Sequence, residues 1–271
     1  MTRRASSRWR TAVLACSVVL LSACATTSKS PGGKLDPWEK WNRKVFNFNE
    51  SLDVNVLKPV ATGYKKVVPE VVRNGVTNVF SNVSDGWSFV NNVLQGKFEP
   101  GLRDLVRFNV NTFFGLAGIV DIASDLGIEH QGEDFGQTLG VWGFGAGAYI
   151  VWPLLGPSSV RDSVALPLDR MATPAVVFND YGTYLGITTL QIVNTRANLL
   201  NASKLLDEIA LDKYTFVRDA YLARRRSLVY DGDPPDPAFQ DNADPGVNPA
   251  AAATPLPAPD AASTPASAPK P

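Results

Sequence analysis

The side chains that could carry out acid–base or nucleophilic chemistry are few in this sequence, and histidine is the scarcest of them. His130 is the only histidine among 271 residues, and it lies in the polar segment EHQGED. A Ser–His–Asp site would depend on it, but the sequence has no G-x-S-x-G motif to present a nucleophilic serine. A zinc site with two or more histidines is also excluded. We therefore predict no catalytic residue and no metal site, and we expect His130 to be solvated in a loop.

Glycines at alternate positions are typical of phosphate binding, but here the pattern is incomplete. Gly143 and Gly145 match the start of the dinucleotide fingerprint G-x-G-x-x-G, whereas the third glycine would fall on Ala148. No G-K-[S/T] phosphate loop occurs. Glu133 and Asp134 are neighbouring acids that would not face each other on regular structure, so we predict a solvated turn there. The sequence thus predicts no nucleotide site and no cofactor.

A basic and an acidic residue stand side by side at the end of the glycine-rich region. Arg161 and Asp162 follow a run without charge and precede a segment with helical character. Two interpretations are open at this point: a local ion pair at the start of a helix, and a contact with the headgroup of a lipid.

The remaining reactive side chain is a cysteine at the end of an export signal. Met1–Ala23 has a basic start, a short apolar run and small residues at its end, which is typical of a secretory signal peptide. Its last residues and Cys24 read LSAC, which resembles the lipobox of bacterial lipoproteins, where the cysteine is acylated and becomes the mature N-terminus. Ordinary cleavage beside an incidental cysteine is the alternative. Cys16 would be removed with the signal, so no disulfide is expected within the mature chain.

The element that must organise the fold is the uncharged stretch Phe135–Val160, FGQTLGVWGFGAGAYIVWPLLGPSSV. Interior glycine costs a helix about 1 kcal/mol and proline about 3 kcal/mol, so this stretch is a poor regular helix. Irregular backbone at membrane depth is tolerated where it is buried in protein or lines a water-filled cavity. The stretch is therefore either the packed centre of a soluble fold or the wall of a passage, and we favour the passage.

The charge distribution points to the same region. The whole chain balances 26 basic against 26 acidic residues, so it has no basic excess that would suit nucleic acid. Residues 135–195 hold only five charged side chains. A helix in a soluble protein usually keeps one charged face, so this block is either fully internal or faces lipid.

Apolar spacing and capping residues predict helices for most of the remaining chain. Asp36-Pro37 predicts a helix start, and the residues that follow place Trp38, Trp41 and Val45 on one apolar face. Further helices are predicted at 69–80, 84–94, 99–114, 158–166, 181–209 and 214–230. The two tryptophans suit either a bilayer surface or a packed core. We expect an all-α fold with residues 36–230 as a single domain.

Flexible segments flank this domain. Residues 24–35 form a polar tether rich in Gly and Ser. Residues 231–271 contain 11 prolines and 11 alanines, a composition that cannot bury enough apolar surface to fold. We predict a disordered tail there.

Four segments in this order resemble the VacJ/MlaA family of outer-membrane phospholipid-transport lipoproteins. They are DPWEKWNRKVFNFNESLD (36–53), NGVTNVFSN (74–82), the stretch 135–162 and YTFVRDAYLARR (214–225). The resemblance implies an all-helical ring in the inner leaflet of the outer membrane. It implies a central passage that passes misplaced phospholipids to a periplasmic carrier of the MlaC type, and trimeric porins that hold the ring. The long tail departs from the family pattern.

The resemblance also implies roles for particular residues. Cys24 would carry the lipid anchor, whereas for Arg161 and Asp162 both interpretations given above, the ion pair and the headgroup contact, stay open. The segment that lies beside the passage in the family corresponds here to Gly136, Gly140, Gly143, Gly145, Gly147 and Tyr149. Two rival functions remain: a structural lipoprotein that binds porin without a lipid path, and an exported lipid hydrolase that would require His130.

Overall fold

The part of the chain that the structure describes consists of helices joined by short loops, with one two-stranded sheet. A computed structural model describes residues 36–177 and 180–235, so the predictions for the signal, Cys24, the tether and most of the tail lie outside the described residues. The first half contains α1 (Glu39–Leu52), a π-helical turn (Asp53–Leu57), α2 (Lys58–Val67), α3 (Glu70–Leu94), α4 (Phe98–Phe113) and α5 (Ile122–Asp125). The second half contains α6 (Phe135–Val141), β1 (Tyr149–Trp152), β2 (Gly156–Ser159), α7 (Val160–Met171), a 3₁₀ turn (Pro174–Val177), α8 (Tyr181–Ile209) and α9 (Lys213–Val229).

Helix α1 begins two residues later than predicted, because Asp36 has a different role from that of an N-cap. Trp38 occupies the N-cap position without a side-chain bond. The buried Asp36 carboxylate instead accepts from Asn42 Nδ2 at 2.7 Å and from the Tyr214 hydroxyl. At the other end, the helical path does not stop at Lys58, since the π-helical turn continues it directly into α2. Asp36 therefore joins the first and last helices of the fold.

Helix α3 runs unbroken for 25 residues where the sequence predicted two helices. The second helix was expected to begin at residues 84 and 85, but Asp85 lies fully buried in the middle of α3. Its Oδ2 accepts from Arg107 Nε of α4 at 3.2 Å. Beside this pair, Ser88 Oγ and Asn92 Nδ2 donate to Asp104 Oδ2 at 2.5 and 2.8 Å. The contact between α3 and α4 is thus polar, which removes the reason for a break at residue 84.

The distribution of burial is inverted relative to an ordinary soluble protein. Many of the buried side chains described are polar or charged, and half of the buried apolar ones are alanines. One apolar cluster is formed by Val45, Tyr149, Val151 and Tyr214. Large apolar side chains lie instead on the outside: Phe113 is 75% exposed and Phe114 is 74% exposed. Trp38 and Trp41 belong to this exposed set. Within the described ranges, no helix has both the length and the apolar character that crossing a bilayer requires.

The sheet is an antiparallel hairpin that the sequence analysis did not predict. Tyr149 pairs with Ser159 and Trp152 with Gly156. Its turn uses positive φ angles at Leu154 and Gly156, 66° and 83°. The fold is otherwise helical, and the all-α prediction is confirmed apart from this small element.

The two last helices agree closely with the sequence. Helix α8 spans Tyr181–Ile209 as predicted, and the Asp180 side chain caps it by accepting from Thr183 N at 2.7 Å. Helix α9 spans Lys213–Val229, with Asp212 as its N-cap. The elements from α1 to α9 form one compact unit. Residues 233–271 form a second, of which the structure describes 233–235, outside any helix or strand.

Candidate functional site

The glycine-rich stretch begins as the short helix α6, which is fixed at its first turn by two carboxylates. Asp134 caps the helix, with its Oδ1 accepting from Gln137 N at 2.8 Å. Asp169 of α7 accepts from Phe135 N, also at 2.8 Å. Gln137 and Thr138 are buried against α3, where Thr138 Oγ1 donates to Asn91 Oδ1 at 2.8 Å. The start of the stretch is therefore a packed helix and not an open wall.

A buried ion network holds α6, α7 and α9 together. Arg225 Nη2 lies 2.9 Å from Asp134 Oδ1 and 2.9 Å from Asp162 Oδ1. Arg161 Nη2 also donates to Asp162 at 2.9 Å, and the Tyr221 hydroxyl donates to Asp162 Oδ2 at 2.7 Å. A carboxylate that bonds two guanidiniums in a partly dry site is strongly fixed in position. The network joins three elements that are distant in sequence.

The network sets the protonation of its acid. Burial would raise the pKa of Asp162, but the positive charges of Arg225 and Arg161 and the Tyr221 hydrogen bond outweigh that effect and lower it. Burial beside this carboxylate raises the pKa of Tyr221 well above its usual range. Asp162 therefore stays ionised and Tyr221 neutral at neutral pH. The predicted pairing of Arg161 with Asp162 is present, and the headgroup contact stays a prediction.

Gly136 and Gly140 allow this network to form, because each lies where a side chain would collide with it. A Cβ on Gly136 would fall 2.6 Å from Asp162 Oδ1 and 2.7 Å from Arg225 Nη2. A Cβ on Gly140 would fall 2.8 Å from Arg161 Nη1 and 2.7 Å from Val229 Cγ2. Their role in the fold is close packing of helices.

Gly143 and Gly145 have the opposite surroundings. No atom lies within 4 Å of the position that a Cβ would take on either residue. Gly143 needs its positive φ of 93°, which an L side chain adopts only with strain. Two half-exposed aromatic side chains, Trp142 and Phe144, flank this loop, and Trp142 Nε1 donates to the Leu94 carbonyl at 3.0 Å. This half of the stretch is an open apolar surface.

The hairpin is attached to α1 by two asparagines seven residues apart. Asn42 is buried; it donates to the Tyr149 carbonyl at 3.1 Å and accepts from Val151 N at 2.8 Å. Asn49 forms the same pair of bonds nearer the turn, to the Trp152 carbonyl at 2.9 Å and from Leu154 N at 2.8 Å. The two asparagines thereby act as an extra strand partner along one edge of β1. The sequence analysis did not assign them a role, although their spacing of seven residues places both on the same face of α1.

Tyr149 and Gly147 lie at the base of the hairpin. Tyr149 is fully buried beside Tyr214 and Tyr221, and its burial raises its pKa to about 12. Gly147 has a φ of 70°, and a Cβ there would meet Val160 Cβ at 3.0 Å. Both residues pack against neighbouring elements at the base of the hairpin. The predicted passage role of the six residues between 136 and 149 is not tested by these contacts and stays a prediction.

His130 is exposed in a loop, as predicted, but its segment makes tertiary contacts that were not predicted. The exposed His130 ring bonds through Nδ1 to the buried Asp85 carboxylate, which raises the pKa of the imidazole. Glu133 is buried, with Gln95 Nε2 at 2.8 Å and Lys97 Nζ at 3.6 Å, so the prediction of a solvated turn is wrong there. Asp134, predicted with it, caps α6. Tertiary contacts with α3 and the loop that follows it explain both differences.

This polar cluster has the atoms for a cation site, but those of Asp85 are already bonded within the protein. Asp85, Asp104 and His130 place ligand atoms within 4.8 Å of one another. However, both oxygens of Asp85 are already bonded, one to His130 and the other to Arg107. The Ser88 hydroxyl donates to Asp104 and not to the imidazole, so it is not activated as a nucleophile. The cluster is best explained as the polar contact between α3 and α4.

Comparisons with known proteins agree with this architecture. Residues 34–228 match the model of the MlaA lipoprotein family. The chain is 33% identical over 228 residues to the intermembrane phospholipid transport system lipoprotein MlaA of Shigella flexneri, and equally to that of Escherichia coli K12. These alignments cover 83% of this chain and 90% of each relative. An MlaA of Haemophilus influenzae is 32% identical, over 80% of this chain and 88% of that protein.

A solved structure provides the corresponding comparison of the folds. A structure described as the structural basis for maintenance of bacterial outer membrane lipid asymmetry superposes with a TM-score of 0.64 at 32% sequence identity. The match covers 72% of this chain and 98% of that one. The resemblance seen in the four sequence segments is confirmed, and this chain belongs to the MlaA lipoprotein family.

Proposed function

We propose that this protein is the outer-membrane lipoprotein of an intermembrane phospholipid transport system and that it maintains the lipid asymmetry of the outer membrane. Its MlaA relatives are named for such a system. The observation that carries the proposal is the inverted burial, with polar side chains inside and large apolar side chains outside. A surface of that kind suits an apolar surrounding. The protein handles phospholipid as cargo and performs no covalent chemistry on it.

The helices form a ring that lies in the inner leaflet, held there by its exposed apolar side chains. Cys24 carries the lipid that anchors the mature N-terminus, and the ring faces the periplasm. Since burying each CH₂ of an acyl chain is worth about 0.8 kcal/mol, a protected route lowers the barrier for taking a phospholipid out of the bilayer.

The route runs beside the glycine-rich stretch. Gly143 and Gly145 line it, because they lie in the loop where added side chains would meet empty space. Gly136, Gly140, Gly147 and Tyr149 support it from the packed side. Arg161 and Asp162 are the candidate headgroup contact, although their existing bonds favour the ion-pair role. A phospholipid leaving the outer leaflet passes this loop and reaches the periplasmic face.

Two proteins act together with the ring. A periplasmic lipid carrier of the MlaC type receives the phospholipid, and trimeric porin holds the ring in the membrane. Family membership supports the proposal of both partners. The rival account is a porin-associated structural lipoprotein without a lipid path. It predicts the same contact with porin but no transport of phospholipid.

The test is a deletion of the gene in the bacterium that encodes it. Phospholipid exposed on the cell surface is then measured with an amine-reactive label that cannot cross the membrane. We expect the label to rise on deletion and to return to the original level with the wild-type gene but not with Cys24→Ala. If surface phospholipid stays constant while porin still copurifies with the protein, the structural account replaces the transport account.

A further inference from the structure

A cavity of about 390 Å³ lies outside the glycine-rich stretch, between the end of α7 and one side of α8. The α8 residues that line the cavity recur every three or four positions, so one face of that helix lies against the cavity. Ile192 and Leu199 of this face, together with Leu57, give the cavity an apolar portion. Thr188, Gln191 and Thr195 of the same face add hydroxyl and amide groups. The lining is therefore amphipathic, as a phospholipid is.

The polar portion of the cavity contains two arginines in different states. Arg196 is already neutralised, because its Nε and Nη2 donate to Asp53 at 2.6 and 2.7 Å. Arg170, by contrast, has no ion-pair partner among the residues that the structure describes. Its guanidinium offers a planar set of donors to an anion. Thr173, two residues after the end of α7, adds a hydroxyl to the lining of the cavity.

An acid lies next to this free guanidinium. Asp169 also lines the cavity, and its two hydrogen bonds, from Trp87 Nε1 and Phe135 N at 2.8 Å each, both use Oδ1. Oδ2 is thus available to a further donor. Burial raises the pKa of Asp169, so the ionised carboxylate would gain from a nearby cation. The cavity therefore presents one unpaired positive group and one under-compensated negative group on adjacent residues.

We propose that this cavity is a binding site for a zwitterionic aminophospholipid headgroup, with the phosphate on Arg170 and the ammonium on Asp169. The apolar residues Leu57, Ile192 and Leu199 accommodate the glycerol backbone and the start of the acyl chains. A free phosphate ion would use Arg170 but neither Asp169 nor the apolar portion. The inference rests on the proposed function, since it names the chemical class of lipid that the ring handles.

Asp169 connects the cavity to the glycine-rich stretch. Asp169 caps the backbone of Phe135, the first residue of that stretch, so the headgroup site and α6 share one side chain. A lipid held at the cavity would lie beside the packed end of the stretch whose open loop we propose as the route.

The experiment titrates the mature lipoprotein in detergent with mixed micelles that contain equal amounts of ethanolamine and glycerol phospholipids. Bound lipids are identified by mass spectrometry after repurification. We expect Arg170→Gln to weaken phospholipid binding about tenfold, the equivalent of one charge-assisted hydrogen bond. Asp169→Asn retains an acceptor for Trp87 and Phe135, and we expect it to lower the ethanolamine-to-glycerol ratio about fivefold while total binding persists. Arg224→Gln, an exposed arginine of α9, is the matched control and should change neither value.

The outcomes separate this inference from the proposed function. If the wild type binds no phospholipid, both are overturned. If the wild-type, Arg170→Gln and Arg224→Gln proteins bind phospholipid equally, the transport function stands and the cavity assignment is overturned. If excess inorganic phosphate displaces the lipid from the wild type, the cavity is a general anion site and the headgroup assignment is wrong. Unchanged thermal unfolding of the variants excludes misfolding as the cause.

Discussion

The first and second parts of the Phe135–Val160 stretch share a composition but have opposite surroundings. In α6, Gly136 and Gly140 lie against side chains of α7 and α9, and the space for a Cβ is already occupied. In the loop that follows, Gly143 and Gly145 face empty space beside exposed aromatic side chains. Glycine therefore serves two purposes within a few residues: it allows tight packing in one half and leaves an open surface in the other. The open loop around Gly143 and Gly145 is the part that we propose as the lining of the lipid route.

The largest expected effect is in the packed half. Gly136→Val would displace Asp162 and Arg225 from a buried network, and we expect a loss of about 3 kcal/mol in the free energy of unfolding. Chemical unfolding in detergent, followed by circular dichroism, measures this loss. Gly145→Val is the control in the open half and should stay within about 0.5 kcal/mol of the wild type. Equal stability of the two variants would contradict the division of the stretch.

A second comparison separates the two asparagines that hold the hairpin. Asn42→Ala would leave the buried Val151 N–H and the Tyr149 carbonyl without this partner, at a cost of about 2 kcal/mol. Asn49→Ala removes the equivalent bonds nearer the solvent, where water replaces them, and should cost about 1 kcal/mol or less. The same unfolding assay ranks the pair. If Asn49→Ala proved the more destabilising, the hairpin would be fixed at its tip and not at its base.

Acid should weaken the packed half selectively. Because the folded-state pKa of Asp162 is lowered, its contribution to stability is present above its unfolded pKa of about 4 and is lost as pH falls through the folded value. We expect the unfolding midpoint to fall as the pH is lowered from neutral to acidic values, and Asp162→Asn to flatten that dependence. A variant with the same pH profile as the wild type would place the acid-sensitive group elsewhere.

The sequence predicts the parts of this fold that depend on local signals. Helix α8 matches its predicted bounds because its start signal is local: the capping residue, Asp180, directly precedes the helix. The hairpin was not predicted because its main partner, Asn42, is 107 residues away from Tyr149. The break expected at Asp85 failed for a similar reason: the residue has the type of a helix cap, but Arg107 of the next helix bonds it in the interior.

The candidate site shows the same limit. The glycine-rich stretch was identified from composition, but composition could not distinguish Gly136 from Gly145, which differ only in what other elements bring near them. Arg225 was named only as part of the segment 214–225 and was given no role, although it is the centre of the ion network. The cavity between α7 and α8 was not anticipated, since residues from two helices form it and its charged residues belong to no recognisable sequence motif.

The most direct test of the central claim compares bound phospholipid in the wild type and Gly145→Val proteins. Both are purified as mature lipoproteins in detergent, and Gly63→Val, at an exposed glycine of α2 with equal free space, is the matched control. We expect Gly145→Val to lose or alter its phospholipid at unchanged stability, while Gly63→Val retains the wild-type amount. If the wild-type, Gly145→Val and Gly63→Val proteins carry the same phospholipid, the open half of the stretch does not line the lipid route.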